Sequence, residues 1–276
     1  MSDTAIAPRV LRPDVPSRAT YDRDGVIHVE QVITPAEVDA IRSAFMTVVE
    51  ADGSFGNDDG VAADDILARY PRFIHPHRRQ ETEVGRMARD LMLDKRIFDI
   101  IETLVGPAYA AQSMFYFKPP TARGQAWHQD NYFLQAHPET CVAAWIAIDD
   151  CDAGNGALRV VPGSHTVQIL CPEPADEDLS FTDQQVPLPE GVEVAQTEMR
   201  AGDVLFFHGS MVHGSLPNTS TDRFRRSLIF HYVPQASREV SRFYHPVLAR
   251  DGEEIATIDV APDGGPCGDG WAVGPH

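Results

Sequence analysis

Five short segments, AQSMFYF, CVAAWIAI, GALRVV, DVLFF and RSLIFHYV, fall between about residues 110 and 235. Each is rich in aromatic or β-branched residues and bounded by Gly, Pro, Asn or Asp, the pattern of strands. Their number and spacing restrict this part of the chain to an antiparallel sandwich or barrel. Asp150–Gly156 (DCDAGNG) separates two of them and contains Asn-Gly, so those two strands are expected to pair across a turn.

Helical signals precede the strands. In TPAEVDAIRSAFMTVVEADG, Thr34 can cap a helix, Pro35 suits its first position and Glu37 completes a capping box. Val38, Ile41, Phe45 and Val48 supply an apolar stripe. Two more helices are expected over about 82–93 and 95–105, the second ending at Gly106. Tyr21 to Val29 reads as a short strand entered through a turn at Asp24-Gly25, and residues 51–65 as Gly/Asp-rich loop. The division expected is a flexible arm over 1–18, one domain over 19–250 and a Gly-rich extension over 251–276. Within the domain, 34–106 is helical, 110–235 is strand-rich, and 172–198 is a Pro-rich acidic insertion.

Charge and cysteine usage narrow the function classes. The 276 residues carry a formal charge of −18, with 43% hydrophobic and 23% charged side chains. That is a folded chain whose acidity opposes a main task of coating nucleic acid or anionic membrane. The four cysteines, at 141, 151, 171 and 267, form no C-x-x-C pair and are read as free thiols. No secretory leader or membrane span is recognisable, so the expectation is a cytoplasmic protein with a small-molecule partner and neither nucleic acid nor membrane.

The sharpest chemical signal is Trp127-His128-Gln129-Asp130. In an extended segment His128 and Asp130 project to one side. With one distant histidine they would form two His and one carboxylate on one face of a metal, the ligand set of non-haem Fe(II) oxygenases. His208 and His213, each followed by Gly-Ser, are the candidates, and local sequence does not separate them. In DRFRRSLIFHYV, alternation puts Arg225, Ser227, Ile229 and His231 on one face and Arg226 on the other. Arginine beside a hydroxyl suits a carboxylate, which its fork binds bidentately. His28, His137, His165, His231, His245 and His276 are assigned no ligand role.

WHQD, NGALRVVPGSH, GDVLFFHGSMVHGS and FRRS together resemble the phytanoyl-CoA dioxygenase family of Fe(II)- and 2-oxoglutarate-dependent oxygenases, over roughly residues 20–245. The resemblance implies a double-stranded β-helix, or cupin-like jelly-roll, with helices packed on one sheet. It implies Fe(II) as cofactor, with 2-oxoglutarate and O₂ as co-substrates and succinate and CO₂ as products. Its metal ligands fall on His128, Asp130 and His213, the last chosen because Asn218 follows five residues on. The anchor for 2-oxoglutarate falls on Arg225, with Arg223 kept as an alternative. Lys118, Trp145, Ser215 and Ser227 match co-substrate positions, and Gln112 and Tyr116 share a strand face with Lys118. Asp130 points to hydroxylation of an unactivated C–H rather than halogenation. Oxidative cyclisation or desaturation, and a metal-dependent jelly-roll enzyme without 2-oxoglutarate, are the alternatives.

One stretch opposes the overall acidity: RYPRFIHPHRRQETEVGR, residues 69–86. Its Arg72 and Arg79, with Tyr116 and Tyr132, are the candidate contacts to substrate. Arginines there would suit an anionic one. The absence of a Ser-Lys-Leu tripeptide at the chain's end favours a biosynthetic role over peroxisomal degradation.

Overall fold

Side-chain alternation along the strands decides how the layers stack. The structure is a computed structural model that describes residues 9–51, 64–138, 140–188, 191–262 and 267. Its strands are β1 (Arg9–Leu11), β2 (Val26–Val29), β3 (Phe73–Ile74), β4 (Ala108–Tyr116), β5 (Gln125–His128), β6 (Val142–Ala147), β7 (Leu158–Val160), β8 (Glu173–Pro174), β9 (Gln184–Gln185), β10 (Ala195–Thr197), β11 (Val204–His208), β12 (His213–Ser215), β13 (Ser227–Pro234), β14 (Glu239–Val240), β15 (Val247–Leu248), β16 (Glu254–Ile255) and β17 (Asp259–Val260). The helices are α1 (Arg18–Asp24), α2 (Pro35–Ala51), α3 (Ile66–Arg69), α4 (Glu83–Met92), α5 (Lys95–Val105) and α6 (Asn131–Leu134).

The major sheet runs β16-β15-β4-β13-β6-β11-β2, with β3 also on β4; the minor sheet runs β1-β10-β7-β12-β5. On β6, Val142, Ala144 and Ile146 face the helices, while Ala143, Trp145 and Ala147 face the minor sheet. Both faces are apolar because both are covered, one by helices and the other by the second sheet. This is a jelly-roll with helices on one sheet, as expected, built as two facing open sheets rather than a closed barrel.

Helix α2 carries the expected capping box. The Thr34 N–H donates to Glu37 Oε2 at 2.8 Å, and the Glu37 N–H to Thr34 Oγ1 at 3.4 Å. It buries Val38, Ile41, Phe45 and Val49, with Val48 half-buried, and Phe45 stacks on Phe115 at 3.9 Å. Thr82 and Asp94 cap α4 and α5, and Gly106 ends α5 at φ +80°.

Several expectations are corrected. Residues 21–24 are helical rather than extended: Ser17 caps α1, Tyr21 is buried on it, and Gly25 closes it at φ +71°. A Cβ there would also lie 2.5 Å from the His165 ring, so only glycine suits the turn. Strands β6 and β7 do not pair across Asp150–Gly156, because that segment crosses from one sheet to the other. Its Asn-Gly sits in a 3-10 turn with its own capping box, Asp152 to Asn155. The end of the 172–198 insertion is sheet: β10 is buried between β7 and β1. Pairing of β1 with β10 also holds residues 9–11 of the expected arm, whose residues 1–8 lie outside the described ones, as do 52–63 of the Gly/Asp-rich loop. Cys171 and Cys267 are disulfide-bonded, and only Cys141 and Cys151 are free. Cys267 is one of the few described residues of the extension, together with 251–262, where β16 pairs with β15 and β17 with β14. No described helix is long and apolar enough to cross a membrane.

Buried histidines tie stability to pH. His77, bonded to Ser113 Oγ at 2.7 Å, is pushed down to about 3 by burial, and His208 to about 4 for the same reason. Unfolded, each would titrate near 6.5. The unfolded chain therefore takes up protons first, and the contribution, complete above pH 6.5, is lost as pH falls towards 3. The urea midpoint is expected to fall between pH 7 and 4, and less steeply in His77→Leu. Parallel curves would refute the assignment.

Candidate active site

Strand register brings the ligands together. His213 on β12 stands directly opposite His128 on β5, with ring centroids 4.1 Å apart. Asp130 follows β5 by two residues, at the mouth of α6. His128 Nε2 lies 3.6 Å and His213 Nε2 3.4 Å from Asp130 Oδ1. Donor atoms of all three lie within 4.8 Å of one another. That spacing lets one ion touch all three.

The second nitrogen of each ring sets the tautomer. His128 Nδ1 faces the Ala126 carbonyl at 2.8 Å, and His213 Nδ1 the Met211 carbonyl at 3.0 Å. Each Nδ1 can only donate to its carbonyl, which leaves the Nε2 lone pairs turned inward as a metal needs. Burial pushes His128 down to about 3, so its ring is neutral at physiological pH. Asp130, 1% exposed, is held from behind by His231, whose Nε2 is 3.0 Å from Oδ2. Sequence reasoning gave His231 no role, although alternation had already placed it on the Arg225 face.

The ligands open into a small cavity between the sheets, walled by Met114, Tyr116, Trp145, Leu158, Phe207 and Ile229. Arg225 enters it from the start of β13. It is 5% exposed, its Nη1 donates to Ser227 Oγ at 3.1 Å, and its guanidinium carbon lies 5.5 Å from the Trp145 ring centroid. Burial lowers its pKa. Among the described residues no carboxylate pairs with it, and Nε has no protein acceptor. A buried cation without a counter-ion is costly, and a bound carboxylate relieves that cost. Arg226 is tied to Asp149, and Arg223 to Asp152, both outside the cavity.

Other candidate residues are sorted by geometry. Ser215 lines the cavity, and Lys118 stands behind it: Nζ donates to Ser215 Oγ at 2.7 Å and to the Leu216 carbonyl at 2.8 Å. Asn218 braces the same turn through the carbonyls of Lys118 and Arg223. Gln112 is fully buried opposite His231 in register, not among the lining residues. Arg72 does not line the cavity either, but its guanidinium lies over the rings of Tyr116, which does, and Phe181. Arg79 is exposed and Tyr132 is buried on α6; neither lines the cavity. His208 is turned away, against the rings of Tyr21 and His165.

Two imidazoles and one carboxylate converging between the sheets of a jelly-roll define a facial-triad metal centre. The chain belongs to the phytanoyl-CoA dioxygenase (PhyH) family, whose model matches residues 21–227. The ectoine dioxygenase of Nocardia farcinica is 30% identical over 232 residues, 77% of this chain and 74% of that protein. The phytanoyl-CoA dioxygenase of Arabidopsis thaliana is 36% identical over 124 residues, 44% of this chain and 43% of that one. The chain thus spans less than half the length of that plant relative. Among solved structures, the non-haem α-ketoglutarate-dependent carbocyclase SnoK from nogalamycin biosynthesis superposes with TM-score 0.61 at 25% identity, covering 80% of this chain and 84% of that one. The epimerase SnoN, in complex with Fe³⁺, α-ketoglutarate and nogalamycin RO, shares the fold with TM-score 0.61 at 22% identity, covering 80% and 83%.

Asp130→Ala should abolish binding of one Fe(II) per chain in calorimetry. His231→Leu should keep all three ligands yet weaken binding by roughly tenfold to a hundredfold. His208→Gln should bind like the unaltered protein; metal loss there would contradict the choice of His213.

Proposed function

We propose that the protein is an Fe(II)- and 2-oxoglutarate-dependent oxygenase that hydroxylates an unactivated C–H bond of a small metabolite in a biosynthetic tailoring step. The observation that carries this is the buried Arg225, without a carboxylate partner, in the same cavity as the triad. A metal site alone has no use for such a cation, whereas a dicarboxylic co-substrate needs one carboxylate anchored away from the metal.

His128, Asp130 and His213 would hold the iron. When bound, iron and 2-oxoglutarate activate O₂, with one atom entering succinate as CO₂ leaves and the other available to the substrate. The chain's own residues position the partners. Arg225, steadied by Ser227 and flanked by Trp145, receives the distal carboxylate in a fork-on-fork pair. His231 fixes the Asp130 carboxylate. Met114, Leu158, Phe207 and Ile229 exclude water, which strengthens the ion pair at Arg225. Tyr116, with Phe181 and Arg72 beside it, offers the surface across which substrate approaches.

A cyclisation reading has specific support: a carbocyclase and an epimerase, both non-haem and α-ketoglutarate-dependent, share the fold. Retention of Asp130 argues against halogenation, since a full triad leaves no protein-vacated position for chloride.

Fe(II), ascorbate and 2-oxoglutarate under air should yield succinate above the no-enzyme blank. Arg225→Ala should raise the apparent KM for 2-oxoglutarate roughly tenfold to a hundredfold while retaining metal. Metal binding without succinate, across many candidate substrates, would instead favour a jelly-roll enzyme that does not use 2-oxoglutarate.

A further inference from the structure

We propose that a second cavity, on the outer side of the minor sheet, binds an anionic group at the end of the substrate furthest from the metal, with Arg159 as its receptor. This rests on the oxygenase reading and names a class of substrate for it: a molecule carrying a carboxylate or phosphate on an aromatic or apolar body.

Arg159 points outward from β7, between Leu158 and Val160, which both face the inter-sheet core. Gly214 is its register partner on β12, so no side chain there blocks the path towards β5. The guanidinium carbon lies 4.5 Å from the Trp127 ring centroid. Among the described residues Arg159 has no carboxylate partner, and its buried Nε has no acceptor. Exposed arginines such as Arg18, Arg23 and Arg223 each hold an acid, whereas the half-buried Arg159 holds none among the described residues. Half-burial against a ring leaves a cation whose remaining donors need an anion.

The surroundings form a partly open compartment that Arg159, Trp127 and Gln125 line. The acidic insertion roofs it: Ser180 Oγ accepts from the Ala126 N–H at 2.9 Å, and the Val186 N–H donates to the Trp127 carbonyl at 2.7 Å. Leu179 and Leu216, both exposed, give the rim an apolar character. Asp176 also lies on the wall, with its Oδ1 accepting the Asp178 N–H at 3.0 Å. Gln125 and Ser215 line this compartment and the metal cavity alike. The two therefore adjoin at the Gln125 end of β5, and the proposed substrate would reach round that end with its reacting carbon inside and its anion outside.

The test uses full-length, metal-loaded protein with 2-oxoglutarate present, and compares phenyl phosphate with phenol by calorimetry. Phenyl phosphate should bind about tenfold tighter or more, the scale of one charge-assisted hydrogen-bonded contact. Arg159→Gln should erase that preference, and Arg159→Lys should keep part of it. Loss of preference confined to Arg72→Gln or Arg225→Gln, or no charge preference in the unaltered protein, would overturn the proposal. Charge preference lost in Arg159→Gln without any succinate release would sink the oxygenase reading and leave the subsite standing.

Discussion

Everything at the site depends on one antiparallel pairing, β5 with β12. Because His128 and His213 are opposite each other in that register, their rings need only a carboxylate two residues along the chain to close a triad. The backbone does further work by presenting the Ala126 and Met211 carbonyls, each two residues before its histidine, to the Nδ1 atoms. A slip of one residue in either strand would turn its ring to the outer face and leave the other alone. The register is in turn pinned at its far end by a polar clasp of the buried Lys118 and Ser215 with the N–H of half-buried Gln125.

The second sheet supplies what the first cannot. Arg225, two residues before β13, and His231 on it both line the cavity, so one stretch of chain delivers the proposed carboxylate anchor and the support for Asp130. The minor sheet thus carries His128 and His213 and the major sheet Arg225, the proposed co-substrate receptor, with apolar side chains from both filling the space between. This division of labour explains how a jelly-roll, which has two inner faces, can set both groups of residues around one cavity.

What the sequence made legible was what short-range periodicity encodes. Two-residue alternation separated Arg225 from Arg226 and paired His128 with Asp130, and capping residues bounded α2, α4 and α5. What it hid was long-range. Asp150–Gly156 has the residues of a hairpin turn, yet the strands it joins belong to different sheets. Tyr21 looks like a strand residue, but the caps Ser17 and Gly25 fold it into α1. His231 carried no local mark, since its meaning comes from Asp130, 101 positions away. Likewise the bonding of Cys171 to Cys267 depends on where the insertion and the extension come to lie, which no spacing rule reports.

That disulfide divides the active site. Its two half-cystines are 96 positions apart, and the covalent ring they close contains His213, Arg225 and His231 but excludes His128 and Asp130. A ring of this size removes about 4–5 kcal/mol of freedom from the unfolded chain in the chain-entropy account. An ion held by the triad would be a second closure, stitching the ring to the segment that precedes it. The catalytic centre is thereby a seam between a circular piece of protein and a linear one.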